Sequence, residues 1–148
     1  MGRAIELAAG AADSGDVPVG ALVVSASGEV IGEGCNLREV EGDPTAHAEV
    51  VALRAAARHT GEWRLEDCTL VVTLEPCPMC AGALLLSRIS TLVLGAWDPK
   101  MGACGSVWDI VRDRRATHRV EVIGGVREAE CSQVLLDFFA GHRSPDRL

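Results

Sequence analysis

Leu74-Glu75-Pro76-Cys77-Pro78-Met79-Cys80-Ala81-Gly82-Ala83 is the stretch around which the rest of the chain can be arranged. The residues before it, 69–73, are apolar and β-branched and predict a buried strand. The residues from 79 to 87 are good helix formers and predict a helix. Both prolines fit the turn between the two elements, because the first positions of a helix tolerate a missing N–H group. The two cysteines therefore lie where a strand turns into a helix.

Cysteines in the spacing Cys-x-x-Cys are typical of a metal site. A helix N-terminus carries partial positive charge and free N–H groups, which favour thiolate over thiol at Cys77 and Cys80. His47, upstream, is a candidate third ligand. Three protein ligands are typical of a catalytic zinc site, which leaves its fourth position to water.

Glu49 is the candidate general base, because a carboxylate beside an activated water can take its proton and pass it on. The helix that carries it is expected to run from Ala46 to about Arg58, capped by Asp43 or Thr45, with His47 in its first turn. Residues two apart in a regular helix point in different directions. His47 and Glu49 can therefore share a site only if the first turn is irregular. The alternative interpretation is a core histidine and two buried cysteines without a metal.

Composition and length predict one globular domain, residues 1–148, in the cytoplasm. Neither a signal-peptide pattern nor an apolar run of membrane-spanning length is evident, so no membrane partner is expected. In the cytoplasm the cysteines should be reduced, and those outside the Cys-x-x-Cys pair are expected to be small core residues: Cys35, Cys68, Cys104 and Cys131.

The net charge of −7 is unlike that of a general nucleic-acid-binding surface, so any RNA contact must be local. A basic cluster is present near the end of the chain, and a solvated surface loop is favoured over an RNA contact as its interpretation. Its members are Arg112, Arg114, Arg115 and Arg119.

The remaining pattern predicts an α/β fold with a mixed sheet of about five strands and helices on both faces. The expected elements are a helix over 3–14, hairpin strands over 21–24 and 29–34, an irregular segment 36–43, a strand over 91–96, a short helix over 106–111, a strand over 118–123 and a helix over 127–140. The strands on either side of the Cys-x-x-Cys helix should be parallel. The direction of the last strand is left open.

Two further positions are candidates for ligand contact. Asp98 and Lys100 follow the strand 91–96, and α/β sheets bind ligands at the carboxyl ends of parallel strands. A plain Asp-Pro turn is the alternative. Asn36, at the end of a hairpin strand, can either read a base through its amide or serve as a turn residue.

The His-x-Glu and Pro-Cys-x-x-Cys motifs together resemble those of the zinc-dependent nucleobase deaminases. Almost the whole chain is similar to the bacterial tRNA-specific adenosine deaminases of the cytidine/deoxycytidylate deaminase superfamily. The segments most particular to that family are 17–21, 43–46 and 98–106.

This resemblance implies a three-layer α/β/α, cytidine-deaminase-like fold, one Zn²⁺ per chain and a homodimer. It implies hydrolysis of adenosine to inosine at the wobble position of a tRNA anticodon, chiefly that of an arginine tRNA. Zinc would be held by His47, Cys77 and Cys80, and Glu49 would be the catalytic residue. The anticodon stem-loop would be contacted by Asn36, Val19, Ala48, Pro76, Asp98, Lys100, Phe138 and Arg143.

Some positions depart from the family pattern. Asp16 replaces the usual glutamate, Trp97 stands where the family is usually polar, and few basic residues follow the last helix, which weakens the expected C-terminal RNA contact. Two other functions fit parts of the sequence. A deaminase of a free base such as guanine would share the zinc motifs. A zinc-stabilised RNA-binding module would need no Glu49 and would close its site with a fourth ligand.

Overall fold

The computed structural model describes residues 1–142, so Arg143 lies outside the described residues. The strands are β1 Gly20–Val24, β2 Val30–Cys35, β3 Thr69–Leu74, β4 Thr91–Ala96 and β5 Glu121–Ile123. The helices are α1 Gly2–Asp13, α2 Arg38–Glu41, α3 Ala48–Thr60, α4 Pro78–Leu86 and α5 Glu128–Gly141. Within this range, none of the helices combines the length and apolar character that crossing a bilayer requires.

The five strands form one mixed sheet in the order β2-β1-β3-β4-β5. β1 runs antiparallel to both β2 and β3. β3 and β4 are parallel, as the helix between them predicts, and β5 is parallel to β4. The parallel strands therefore place the residues after β3, β4 and β5 at the same edge of the sheet.

Side chains alternate between the two faces of the central strands. On one face Val23, Leu70 and Val72 join the larger core beneath α3 and α4. On the other face Leu22 and Val71 pack against α1, and α5 lies beside α1 over β4. The result is a helix–sheet–helix arrangement in three layers, which confirms the predicted fold class.

β2 approaches α3 closely enough that its inward positions must be glycine. A Cβ on Gly34 would overlap the Ala48 carbonyl and lie 2.7 Å from Ala52 N, and one on Gly32 would lie 2.7 Å from Ala56 N. The three alanines are fully buried. Small residues on both elements therefore fix the start of α3 beside the end of β2.

Two predictions about the first half of the chain were wrong in detail. α3 begins at Ala48, with His47 as its N-cap, because the Asp43 carboxylate instead accepts hydrogen bonds from the N–H and hydroxyl of Thr45. The segment 36–43 includes the short helix α2. The buried Asp16 carboxylate accepts the N–H groups of Glu39 (2.8 Å) and Val40 (3.3 Å), which stabilises that turn.

Two predictions about the second half were also wrong. Residues 106–111 form turns rather than a helix, closed by a bridge between Cys104 and Asp109. Gly105 has a φ of 139°, which is not helical, and the Ser106 N–H is bonded to the Glu75 carboxylate. The last strand begins at Glu121 instead of residue 118, where the His118 ring lies 2.7 Å from the Ile89 carbonyl.

Candidate active site

The side chains of His47, Cys77 and Cys80 meet where α3 and α4 begin. His47 is the N-cap of α3 and Cys77 is the N-cap of α4. His47 Nδ1 lies 3.6 Å from Cys77 Sγ and 3.5 Å from Cys80 Sγ, and the three ligand atoms lie within 4.8 Å of one another. Ligand atoms that each stand about 2.0–2.3 Å from one tetrahedral Zn²⁺ have such separations.

The donor set also fits zinc, because two sulfurs and one imidazole suit a borderline-soft divalent cation. The pKa of Cys77 is lowered to about 4, chiefly by a hydrogen bond from the Cys80 thiol and further by one from His47. The same hydrogen bond, together with burial, raises the pKa of Cys80. The Cys77 sulfur raises the pKa of His47. A thiolate is thus already stabilised here, and a metal would displace the remaining protons.

Glu49 lies in the first turn of α3 and is only 4% exposed. Burial raises its pKa to about 7. His47 has extended backbone angles, φ −70° and ψ 152°, so it lies outside the regular helix. Both side chains can therefore face the same cleft, which meets the condition that their spacing imposed. A carboxyl group whose pKa is near neutrality can both take and give a proton at physiological pH.

A cleft of about 820 Å³ opens beside these residues. Five of the predicted substrate contacts line it: Val19, Asn36, Ala48, Asp98 and Lys100. Asn36 is also a turn residue, since its amide donates to the Val17 carbonyl and its Oδ1 accepts the Arg38 N–H, each at 3.2 Å. The turn interpretation is therefore confirmed, while the base-reading role stays a prediction.

Two other predicted contacts, Pro76 and Phe138, are not among the residues that line the cleft. Pro76 is in the turn that carries Cys77, and its carbonyl accepts the Ala103 N–H at 2.9 Å. Phe138 stacks on His142, with ring centroids 4.0 Å apart, and meets Phe139 edge-on at 5.4 Å. Phe139 itself lines the cleft, so Phe138 supports the aromatic ring that reaches it.

The structure adds residues that the sequence analysis did not single out for the site. Arg38, Glu75, Met101 and Phe139 also line the cleft. Of these four, only Glu75 has a recognisable sequence signal, as an acidic residue between an apolar strand and a predicted metal ligand. Trp97, noted as a departure, lines the cleft and packs its indole over Gly124.

The basic cluster behaves as a surface loop. Arg112 pairs with Asp109 at 2.9 Å and Arg115 pairs with Asp113 at 2.7 Å, all four being substantially solvent-accessible. These ion pairs neutralise part of the positive charge, which favours the interpretation chosen from the sequence.

The family model for the zinc-binding region of cytidine and deoxycytidylate deaminases matches residues 1–96. The chain therefore belongs to this family of zinc-dependent deaminases. Within it, the tRNA-specific adenosine deaminase of Haemophilus influenzae is 49% identical over 148 residues, which is 100% of this chain and 86% of that protein.

Solved structures agree with this relationship. One from a study of A-to-I editing by tRNA:A34 deaminases at the wobble position of transfer RNA has a TM-score of 0.86 and 39% identity, covering 89% of this chain and 95% of that chain. The guanine deaminase of Bacillus subtilis has a TM-score of 0.64 and 32% identity, covering 99% of this chain and 94% of that chain. The free-base alternative is thus less well supported than the tRNA alternative.

Proposed function

We propose that this chain is a tRNA-specific adenosine deaminase that hydrolyses adenosine to inosine at the wobble position of a tRNA anticodon, chiefly that of an arginine tRNA. The observation that carries the chemistry is the buried Glu49, with a pKa of about 7, beside a His-Cys-Cys cluster that opens on a cleft. The full-length similarity to the Haemophilus influenzae enzyme supports the choice of substrate.

His47, Cys77 and Cys80 would hold Zn²⁺, which would supply the Lewis acidity that makes water a nucleophile at neutral pH. Glu49 takes the proton of the attacking water as the water oxygen adds to C6 of adenine. Glu49 delivers that proton to the ring nitrogen, takes the second proton from the oxygen now bound to C6, and passes it to the amino group, which leaves as ammonia as the C6–N bond breaks. Because Glu49 is only 4% exposed, it would exchange protons with the bound substrate rather than with bulk water.

The substrate contacts are proposals at the level of single residues. Asn36, which lines the cleft, would hydrogen-bond the target nucleoside, while Val19 and Ala48 would form an apolar wall beside the base. Asp98 and Lys100 would lie along the anticodon loop, where Lys100 can meet a phosphate.

The remaining proposed contacts approach from the edges of the site. Pro76 would act through the turn that carries Cys77, and Phe138 through the aromatic pair on α5. Arg143, beyond the described residues, would follow α5. A wobble base is already single-stranded, so little energy is needed to bring it into the cleft.

Residues 1–148 would work as one domain, as a homodimer, and in the cytoplasm. All six cysteines are free thiols, which suits a compartment that keeps thiols reduced.

The test is a deamination assay on two substrates, an anticodon stem-loop with adenosine at the wobble position and free guanine. We expect inosine in the stem-loop, and about a 10²–10⁴-fold loss of rate in Glu49→Gln with zinc still bound. Glu62→Gln, which changes an exposed glutamate after α3, is the matched control.

Three results would count against parts of this function. Xanthine from guanine with an unmodified stem-loop would favour the free-base alternative. Full activity in Glu49→Gln would exclude the mechanism. A metal content far from one zinc per chain would exclude the ligand set.

A further inference from the structure

Glu75 is a buried carboxylate, 2% exposed, that has no part in the proton transfers above. It receives four hydrogen bonds. Oε1 accepts the Asp98 N–H at 2.9 Å and the Ser106 hydroxyl, and Oε2 accepts the Cys104 N–H at 3.0 Å and the Ser106 N–H at 3.1 Å. All four donors belong to the segment 98–106, which we call the substrate loop because it carries Asp98 and Lys100.

The substrate loop wraps around this carboxylate. A Cβ on Gly102 would overlap the carboxylate of Glu75 and lie 2.5 Å from the Asp98 carbonyl, so the loop touches Glu75 at its middle as well as at its ends. Two backbone hydrogen bonds reinforce this contact. The Ala103 N–H donates to the Pro76 carbonyl at 2.9 Å, and the Glu75 N–H donates to the Ala96 carbonyl at 2.8 Å. The loop is thereby attached to the turn that leads into Cys77.

A buried carboxylate is unfavourable unless its oxygens are hydrogen-bonded, and here one loop satisfies both oxygens. That loop holds four of the cleft-lining residues, 98–101, while the segment that holds Glu75 continues two residues later into a zinc ligand. We propose that Glu75 is a positioning residue, which fixes the substrate loop against the Cys77 turn and so sets where Asp98 and Lys100 stand relative to the metal ligands. The nature of the substrate rests on the proposed function, whereas the attachment of the loop does not.

The hydrogen-bond pattern makes glutamine an informative substitution. In Glu75→Gln the side-chain oxygen can serve only one of the two sets of donors. The Ser106 hydroxyl can rotate and accept from the new NH₂ group, whereas the backbone N–H of Asp98 cannot accept. The amide oxygen is therefore expected to face Cys104 and Ser106, and the Asp98 N–H loses its partner. Glu75→Gln should loosen the Asp98 end of the substrate loop while preserving side-chain size.

The experiment uses the full chain loaded with zinc and the anticodon stem-loop. For Glu75→Gln we expect KM to rise about tenfold, which corresponds to the loss of one hydrogen bond to a charged group. We expect kcat and zinc content to stay close to those of the wild type, and the amides of 98–106 to exchange faster with deuterium. Glu130→Gln, which removes the same charge from an exposed ion pair with Arg127, is the matched control. It should change neither KM nor the deuterium exchange of 98–106.

A second variant, at Gly102, perturbs the same contact through a residue of the substrate loop. Gly102→Ala should displace the Glu75 carboxylate and cause a similar rise in KM and in exchange. In the Glu75→Gln/Gly102→Ala double variant, the increases in KM and in amide exchange should be well below the sum of those in the single variants. The reason is that both substitutions break the same contact.

Unchanged KM together with unchanged exchange over 98–106 would overturn the positioning role. A fall in kcat and zinc content with KM unchanged would also overturn it, since Glu75 would then serve the metal ligands. If the wild-type enzyme leaves the stem-loop unmodified, the proposed function fails, and the exchange of 98–106 still decides the role of Glu75.

Discussion

Trp97 is the first residue after β4, and Gly124 is the first residue after its parallel neighbour β5, which ends opposite Val93. A Cβ on Gly124 would overlap the indole and lie 2.6 Å from Trp97 Cη2. A tryptophan at position 97 therefore requires a glycine at position 124. This contact gives the departure at Trp97 a packing explanation.

Gly124→Ala should lower the free energy of unfolding by about 1–3 kcal/mol, because the indole must move to admit the methyl group. In a Trp97→Ala background the same substitution should have little effect. Urea unfolding of the two single variants and the double variant measures this. Gly10→Ala, where a Cβ meets nothing within 4 Å, is the control. Equal destabilisation in both backgrounds would mean that the indole is not what Gly124 accommodates.

At the scale of residues, the ligands and Glu49 could be predicted because each motif is only a few residues long and its chemistry depends on residue type. Glu75 could not be assigned a role in this way. Its partners lie 23–31 residues further along the chain, and only the fold brings them together. Asp16 is a similar case, with partners 23 and 24 residues away.

At the scale of elements, the contact between β2 and α3 positions His47, one of the three candidate metal ligands. The helix begins one residue after His47, and the Ala48 carbonyl lies against Gly34. Any side chain at position 34 must push against helix backbone, which cannot rotate away as a side chain would.

Gly34→Ala should therefore shift the start of α3, weaken zinc binding and destabilise the fold by about 1–3 kcal/mol. Competition with a chromophoric zinc chelator and a thermal melt measure the two effects. Gly10→Ala in α1 again provides the control, with unchanged zinc affinity. Wild-type zinc affinity in a destabilised Gly34→Ala variant would show that His47 does not depend on this contact.

The elements differ in how well the sequence predicts them. β3, α4 and β4 agree with prediction to within a residue or so, because apolar periodicity and flanking prolines act locally. The segment 106–111, Ser-Val-Trp-Asp-Ile-Val, contains no strong helix former, and its backbone is bonded to Glu75 and to Gly102 instead of forming the predicted helix. Hydrogen bonds to residues outside the segment therefore decide its conformation.

At the scale of the whole molecule, the outer face of α4 is apolar and exposed. Leu86 is 68% exposed and Met79 is 38% exposed, while Leu84 on the same helix is buried in the core. Apolar side chains on the outside of an already packed helix favour contact with another chain. This face is our candidate for the interface of the proposed homodimer.

Leu86→Glu should shift the protein from dimer to monomer, because a charge would be buried at the interface. Sedimentation equilibrium over a range of protein concentrations measures this. Val30→Glu places the same charge on an exposed valine at the edge strand β2 and should leave the dimer intact. A wild-type protein that stays monomeric throughout would exclude the homodimer, and a dimeric Leu86→Glu variant would place the interface elsewhere.

The overall topology was predictable as far as local connections determine it. A helix between β3 and β4 requires a parallel crossover, and a short turn between β1 and β2 requires a hairpin. The direction of β5 was not predictable, because the connection from β4 contains turns and no crossover helix. The start of this connection was nevertheless predicted to lie near the ligand, and Asp98 and Lys100 do line the cleft.

The attachment of the substrate loop to Glu75 also bears on how the substrate range of such an enzyme could be altered by laboratory evolution. The loop is held through backbone N–H groups at 98, 104 and 106, and these do not depend on the side chains between them. Libraries that vary Pro99, Lys100 and Met101 would therefore change the chemistry presented to a substrate while the scaffold stays in place. Gly102 and Glu75 are the positions that such libraries should leave unchanged.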